Sequence, residues 1–151
     1  MAGMFRIAPA ETDSEIRACL KLLKQLRADL DDGEAGVAKI RRQMAQGYRM
    51  MASYSGQDPV SLAGYRFVEN TVRGKTLYVD DLVTDANARS KRHGEALIAA
   101  LADEARDAGC TALVLDSSVS NAKAHRFYLK AGFDIVGFHF AAPLERFGKP
   151  D

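Results

Sequence analysis

Two periods alternate along this chain. Apolar residues recur at three- and four-residue steps in some stretches and at every second position in others, which separates helices from strands. Phe5, Arg6 and Ile7 predict a short strand that Pro9 ends. Thr12 and Glu15 have capping-box spacing, and Ile16, Leu20, Leu23, Leu26 and Leu30 then mark an amphipathic helix broken by Asp31-Asp32-Gly33. Val37, Ile40 and Met44 mark a second, shorter helix closed by Gly47. Tyr48 to Tyr54, Val60 to Val68 and Leu77 to Thr84 predict three strands of an antiparallel meander, turning at Gly56-Gln57-Asp58-Pro59 and Arg73-Gly74. From Arg89 the period is helical again, with Leu97, Leu101, Ala105 and Ala108 on one face and Gly109 as its stop. Thr111 to Asp116 is a short buried-strand run. Ser120 or Asn121 can cap a last helix holding Ala124, Phe127, Tyr128 and Ala131, which Gly132 ends. Phe133 to Phe140 reads as a closing strand, and the tail after Pro143 as loose. The strand-helix-strand step across residues 77–116 implies a parallel crossover in a mixed sheet.

Composition narrows the class. A chain of 151 residues with 47% hydrophobic and 27% charged residues fits one globular domain spanning 1–151. Twenty-one basic against 20 acidic residues leave a net charge of +1, so no global field recruits nucleic acid or an acidic membrane. Cys19 and Cys110 lie in no metal-ligand spacing; they read as reduced thiols, with no metal site. Met1 to Ala10 has no apolar stretch of signal-peptide length, and no run reaches the roughly 20 apolar residues of a membrane helix, so a cytoplasmic location is expected.

Two segments carry candidate chemistry. In Asp85 to Leu97 a strand gives way to a helix, where free backbone N–H groups and the helix dipole suit an anion. Arg89, Lys91 and Arg92 add charge, and Gly94 lets a phosphate approach the main chain. The segment reads as a pyrophosphate cradle or, more plainly, as a solvated basic helix start. In Asn121 to Phe133, taken singly, Phe127 and Tyr128 could be core aromatics and Asn121 an ordinary cap.

Together the two segments resemble the GNAT acetyltransferase superfamily. Arg89 and Gly94 match the ends of its acyl-CoA signature, Q/R-x-x-G-x-G/A, with Arg92 where the first glycine usually stands. Asn121, Ala124, Phe127, Tyr128, Gly132 and Phe133 match N-x-x-A-x-x-F/L-Y-x-x-x-G-F. The resemblance covers roughly residues 4–140. It implies a mixed α/β fold: a mostly antiparallel sheet of about six to seven strands, about four flanking helices, and a splayed parallel strand pair at the cofactor site.

It also implies direct transfer of an acetyl group from acetyl-CoA to an amine. Backbone groups of Leu82, Val83 and Thr84 would bind the pantetheine arm. The N–H groups from Lys91 through Arg92, His93, Gly94 and Glu95 to Ala96 would bind pyrophosphate, with Arg89 beside them, and Asn121 would contact or orient the cofactor. Tyr128 would protonate the leaving thiolate, since a tyrosine hydroxyl is protonated at neutral pH. The N–H of Val83 would polarise the thioester. Asp80 and Asp81 are candidate bases; alternation sends them to opposite faces unless a bulge intervenes, and Asp116 and a water chain are further routes. His93 reads as exposed, His125 as bordering the cofactor, and His139 as packed.

Acceptor choice is expected from residues 26–38 with Tyr65, Arg66 and the last strand. The acidic run Asp29 to Glu34 suggests a cationic acceptor or only a solvated loop, whereas Arg66 suggests a carboxylate; the two hints disagree. The competing readings are a non-catalytic acyl-CoA sensor and a nucleic-acid binder, the second disfavoured by the balanced charge. A homodimer agrees with the family's habit, although no interface is legible.

Overall fold

The structure, a computed structural model, describes residues 5–89 and 92–151. It divides into two compact units, Met1–Leu115 and Asp116–Asp151. The first holds strand β1 (Arg6–Pro9), helices α1 (Asp13–Leu23) and α2 (Glu34–Met44), strands β2 (Arg49–Ser55), β3 (Asp58–Asn70) and β4 (Gly74–Thr84), helix α3 (His93–Asp107) and strand β5 (Leu113–Leu115). The second holds helix α4 (Ala122–Ala131) and a 3-10 turn, Leu144–Phe147, within the tail expected to be loose.

The five strands form one sheet in chain order. The pairs from β1 to β4 are antiparallel, and β4 with β5 is parallel, so α3 is the crossover. Strand alternation sorts the core into two layers. Met50, Ala52 and Leu62 pack with Ile16 and Leu20 of α1 and Val37 and Ile40 of α2. Met51, Ala63 and Tyr65 pack instead with Leu97, Leu101 and Ala105 of α3. Tyr65 therefore lies in the α3 layer, away from α1 and α2, which removes it from the acceptor face expected for it.

Thr12 caps α1, its hydroxyl accepting from the Glu15 N–H at 3.2 Å, while Glu15 reaches back to the Glu11 N–H at 2.8 Å. The helix stops at Leu23 rather than continuing to Leu30. The chain tightens there into three-residue turns, with the Gln25, Leu26 and Leu30 N–H groups donating to Leu22, Leu23 and Arg27. Leu26 and Leu30 still pack on the core, so their periodicity reported burial correctly while the helical geometry had ended.

The second unit corrects another expectation. Residues 133–140 form no strand, although their sequence alternates and they follow the Gly132 stop, whose φ of +106° ends α4. A strand requires a hydrogen-bonded ladder, and the described residues of this unit include no other strand. Among the described residues the sheet thus has five strands rather than six to seven.

Candidate active site

The site is built around the end of β4. Its ladder with β3 pairs Tyr65 with Val79 and Gly64 with Asp81, which leaves Asp80 as an extra residue at a bulge. The bulge cancels strict alternation, so Asp80 and Asp81 line one cavity instead of pointing to opposite faces. Each carboxylate has its own arginine. Arg66 on β3 donates from Nε to Asp80 Oδ2 at 2.8 Å, with a second nitrogen at 2.7 Å. Arg27, placed by the turns after α1, donates from Nε and a terminal nitrogen to Asp81 Oδ1 at 3.2 and 3.0 Å.

Tyr48 completes the cluster, and the sequence reading missed it. Its hydroxyl donates to Asp81 Oδ2 at 2.8 Å, and the Arg66 guanidinium lies 5.5 Å from its ring centre. Burial first, and then the charge of Asp81, push the Tyr48 hydroxyl far above the ordinary tyrosine range, so it is a fixed donor. Gly64 makes room for it: a Cβ there would overlap the Tyr48 hydroxyl and ring. A mid-strand glycine was the available signal, since it marks a bulge or a close approach. The tyrosine's inward direction depends on the register of β2 with β3, which no local pattern reports.

The cavity measures about 490 Å³, within the usual range for small-molecule sites. Arg27, Asp29, Lys39, Gln43, Tyr48, Arg66, Asp80 and Asp81 supply its polar lining. Of the acidic run, only Asp29 lines it. Asp31 accepts from the Gly33 N–H, Asp32 lies 4.0 Å from Lys24, and Glu34 pairs with Arg17.

Past the carboxylates, β4 offers an open edge. Its ladder with β5 stops at the Val79–Leu115 pair, while the ladder with β3 runs on to Thr84. The β5-side edge of Leu82, Val83 and Thr84 therefore has no strand partner among the described residues. The chain then makes a 3-10 turn, Ala86–Ala88, whose C-cap is the exposed Arg89, and enters α3. Arg92 precedes α3 with φ +66° and makes no side-chain cap hydrogen bond to the first turn of the helix. Left-handed geometry explains why a glycine is usual in the signature at this place. The Arg92 side chain pairs with Glu95 at 2.8 Å. Lys91 lies outside the described residues. His93 is buried, not exposed: its Nδ1 lies 2.8 Å from Ser53 Oγ, and Phe5 meets its ring edge-on at 4.7 Å.

In the second unit, Asn121 rather than Ser120 caps α4, accepting from the Ala124 N–H at 3.2 Å. Tyr128 sits between Phe127 and Phe133, at 5.5 and 5.7 Å, and burial pushes its hydroxyl pKa upward. His125 Nε2 lies 2.7 Å from the Ser118 carbonyl oxygen. His139 is exposed rather than packed, with its Nδ1 3.4 Å from Asp116. Both cysteines are free thiols, and no group of three metal-ligating side chains occurs among the described residues.

Comparison with known proteins adds relatives. Residues 15–133 match the model of the acetyltransferase (GNAT) family. The uncharacterized N-acetyltransferase YhdJ of Bacillus subtilis (strain 168) is 33% identical over 130 residues, covering 82% of this chain and 87% of that protein. An acetyltransferase of Trypanosoma brucei superposes with a TM-score of 0.76 at 23% identity, covering 93% of this chain and 99% of the other. The aminoglycoside N-acetyltransferase AAC(6')-Iy, solved with CoA, does so with a TM-score of 0.79 at 15% identity, covering 95% and 97%. At these identities the two structures speak for the fold.

Proposed function

This chain belongs to the GNAT acetyltransferase family, and we propose that it transfers an acetyl group from acetyl-CoA to a primary amine of a small molecule or peptide in one ternary complex. One observation carries the reading: a carboxylate-lined cavity and an open strand edge are consecutive on β4, and the strand leads into the basic start of α3. The cavity receives the amine. The edge at Leu82, Val83 and Thr84 pairs with the amides of the pantetheine arm. The first-turn N–H groups of α3, with Arg89, hold pyrophosphate.

The chemistry follows from two proton problems. The acceptor arrives as an ammonium, which Asp80 and Asp81 attract and from which one of them, or a water, takes a proton. The amine nitrogen then attacks the thioester carbon, polarised by the Val83 N–H. A C–N bond forms, the C–S bond breaks, and the nitrogen gives up its second proton to water, from which Tyr128 is reprotonated after the transfer. The thiolate takes a proton from Tyr128, whose raised pKa keeps that proton available throughout the neutral range.

Calorimetric titration with acetyl-CoA, with ATP as control, tests the cofactor, and thiol release with an amine panel tests transfer. Saturable acetyl-CoA binding tighter than ATP, with turnover of at least one amine, is expected. Tight binding with no transfer to any amine would indicate the sensor alternative. Tyr128→Phe should lower kcat about a hundredfold while CoA affinity stays unchanged; full activity would remove Tyr128 from the mechanism.

A further inference from the structure

We infer that the acceptor is an amine bearing an anionic group, a carboxylate or a phosphate, on the same molecule. This deepens the acetyl-transfer reading and rests on it. The cavity lining holds three cations, Arg27, Lys39 and Arg66, and three anions, Asp29, Asp80 and Asp81. A lining so balanced attracts neither a polycation nor a polyanion by its overall field, and selects through local pairs.

Those pairs constrain what can enter. Asp80 and Asp81, the groups able to receive an ammonium, are already matched one to one by Arg66 and Arg27. Both carboxylates are largely shielded, with 21% and 13% of their side-chain surface exposed. An ammonium alone would add a third cation beside two arginines, and full engagement would draw a carboxylate away from its partner. A partly buried arginine left without an anion is costly. An acceptor that brings its own anion avoids that cost by exchanging ion pairs: its ammonium takes the aspartates and its anion takes a guanidinium. Arg66 spends two of its five N–H donors on Asp80, so its fork keeps free donors for a carboxylate or phosphate. Lys39, on α2, lines the same cavity and forms no ion pair among the described residues. Of the two hints in the sequence, Arg66 for a carboxylate keeps its place in the cavity, whereas the amine end falls to Asp80 and Asp81 rather than to the acidic run, from which Asp29 alone lines it.

The overall step balances: the ammonium and the thioester give the amide, the CoA thiol and one proton, and the anionic group passes through unchanged. Matched acceptors test the class. L-methionine and β-alanine are compared with their amides, and O-phosphoethanolamine with ethanolamine, by kcat/KM from thiol release with saturating acetyl-CoA. At least one anionic member should exceed its neutral counterpart by about tenfold or more, and the responsive pair distinguishes carboxylate from phosphate. That ratio should fall toward one in Lys39→Gln or Arg66→Gln. Arg66→Lys serves as the second variant should Arg66→Gln fail to fold. Equal values within every pair would overturn the inference.

A second readout separates this inference from the reading beneath it. Thermal stabilisation of the CoA-saturated protein is measured with the same six compounds. Stabilisation by an anionic member over its counterpart, without turnover of any compound, would keep the ligand class and sink the acetyl-transfer reading. No turnover and no such difference would overturn the inference as well.

Discussion

Among the described residues, Arg92 alone combines a side chain with a positive φ. A left-handed conformation costs an L-residue with a Cβ on the order of 1–2 kcal/mol. The ion pair with Glu95 offsets little of that, because the Arg92 and Glu95 side chains are 76% and 44% exposed. Arg92→Gly and Arg92→Ala lose that pair equally, and only glycine relieves the backbone. We expect Arg92→Gly to be more stable than Arg92→Ala by about 0.5–1 kcal/mol, after the extra chain entropy of glycine is subtracted. Equal midpoints in urea would mean that α3 starts without strain. The departure at Arg92 was visible in the sequence, where it interrupts a glycine signature; its φ was not, because side-chain identity does not dictate a dihedral that the neighbouring turn imposes. Tyr48 was less legible still. It stands beside Gly47 as an ordinary first strand residue, and only the fold brings its hydroxyl to Asp81.

At the scale of elements, the bulge between β3 and β4 decides what the site contains. It faces Asp80 into the cavity with Asp81, and Gly64 opposite Asp81 leaves the space that Tyr48 fills. Gly64→Ala should therefore cost about 1–3 kcal/mol, the usual range for overpacking. That cost should shrink in a Tyr48→Leu background, where the overlapping ring is gone. Unchanged stability of Gly64→Ala, or an equal cost in both backgrounds, would show that Tyr48 does not occupy this space. Helices and inner strands were readable because burial repeats along them: Leu97, Leu101 and Ala105 on α3, and Met50 and Ala52 against Met51 on β2. Register was not readable, since a one-residue offset between Gly64 and Asp81 leaves both local patterns intact. For the same reason residues 133–140 misled the reading. Alternation states which side chains could share a face, and only a partner ladder makes a strand.

Across the larger unit, buried acids make stability depend on alkaline pH. The Cys19 thiol, carried by α1, is fully buried, and burial is the main cause of its pKa rising from 9.0 to about 12. Tyr48 is raised from 10.0, again chiefly by burial. Both groups bind their protons more tightly folded than unfolded. Their stabilising contribution is therefore complete below pH 9.0, where the unfolded thiol is also protonated, and is lost as pH rises toward the folded pKa. Each group limits the slope to about 1.4 kcal/mol per pH unit. Unfolding in urea followed by circular dichroism, suited to a chain with no tryptophan, should show a constant free energy from pH 7 to 9 and a decline above it. Cys19→Ala should flatten the first part of that decline, and Tyr48→Phe the part beginning near pH 10. The slopes decide the matter, because both substitutions also change packing and so shift the absolute stability at every pH. A decline of the same slope in Cys19→Ala would assign the alkaline loss to other groups, with the Tyr54 and Tyr65 hydroxyls, both raised by burial, next to be replaced.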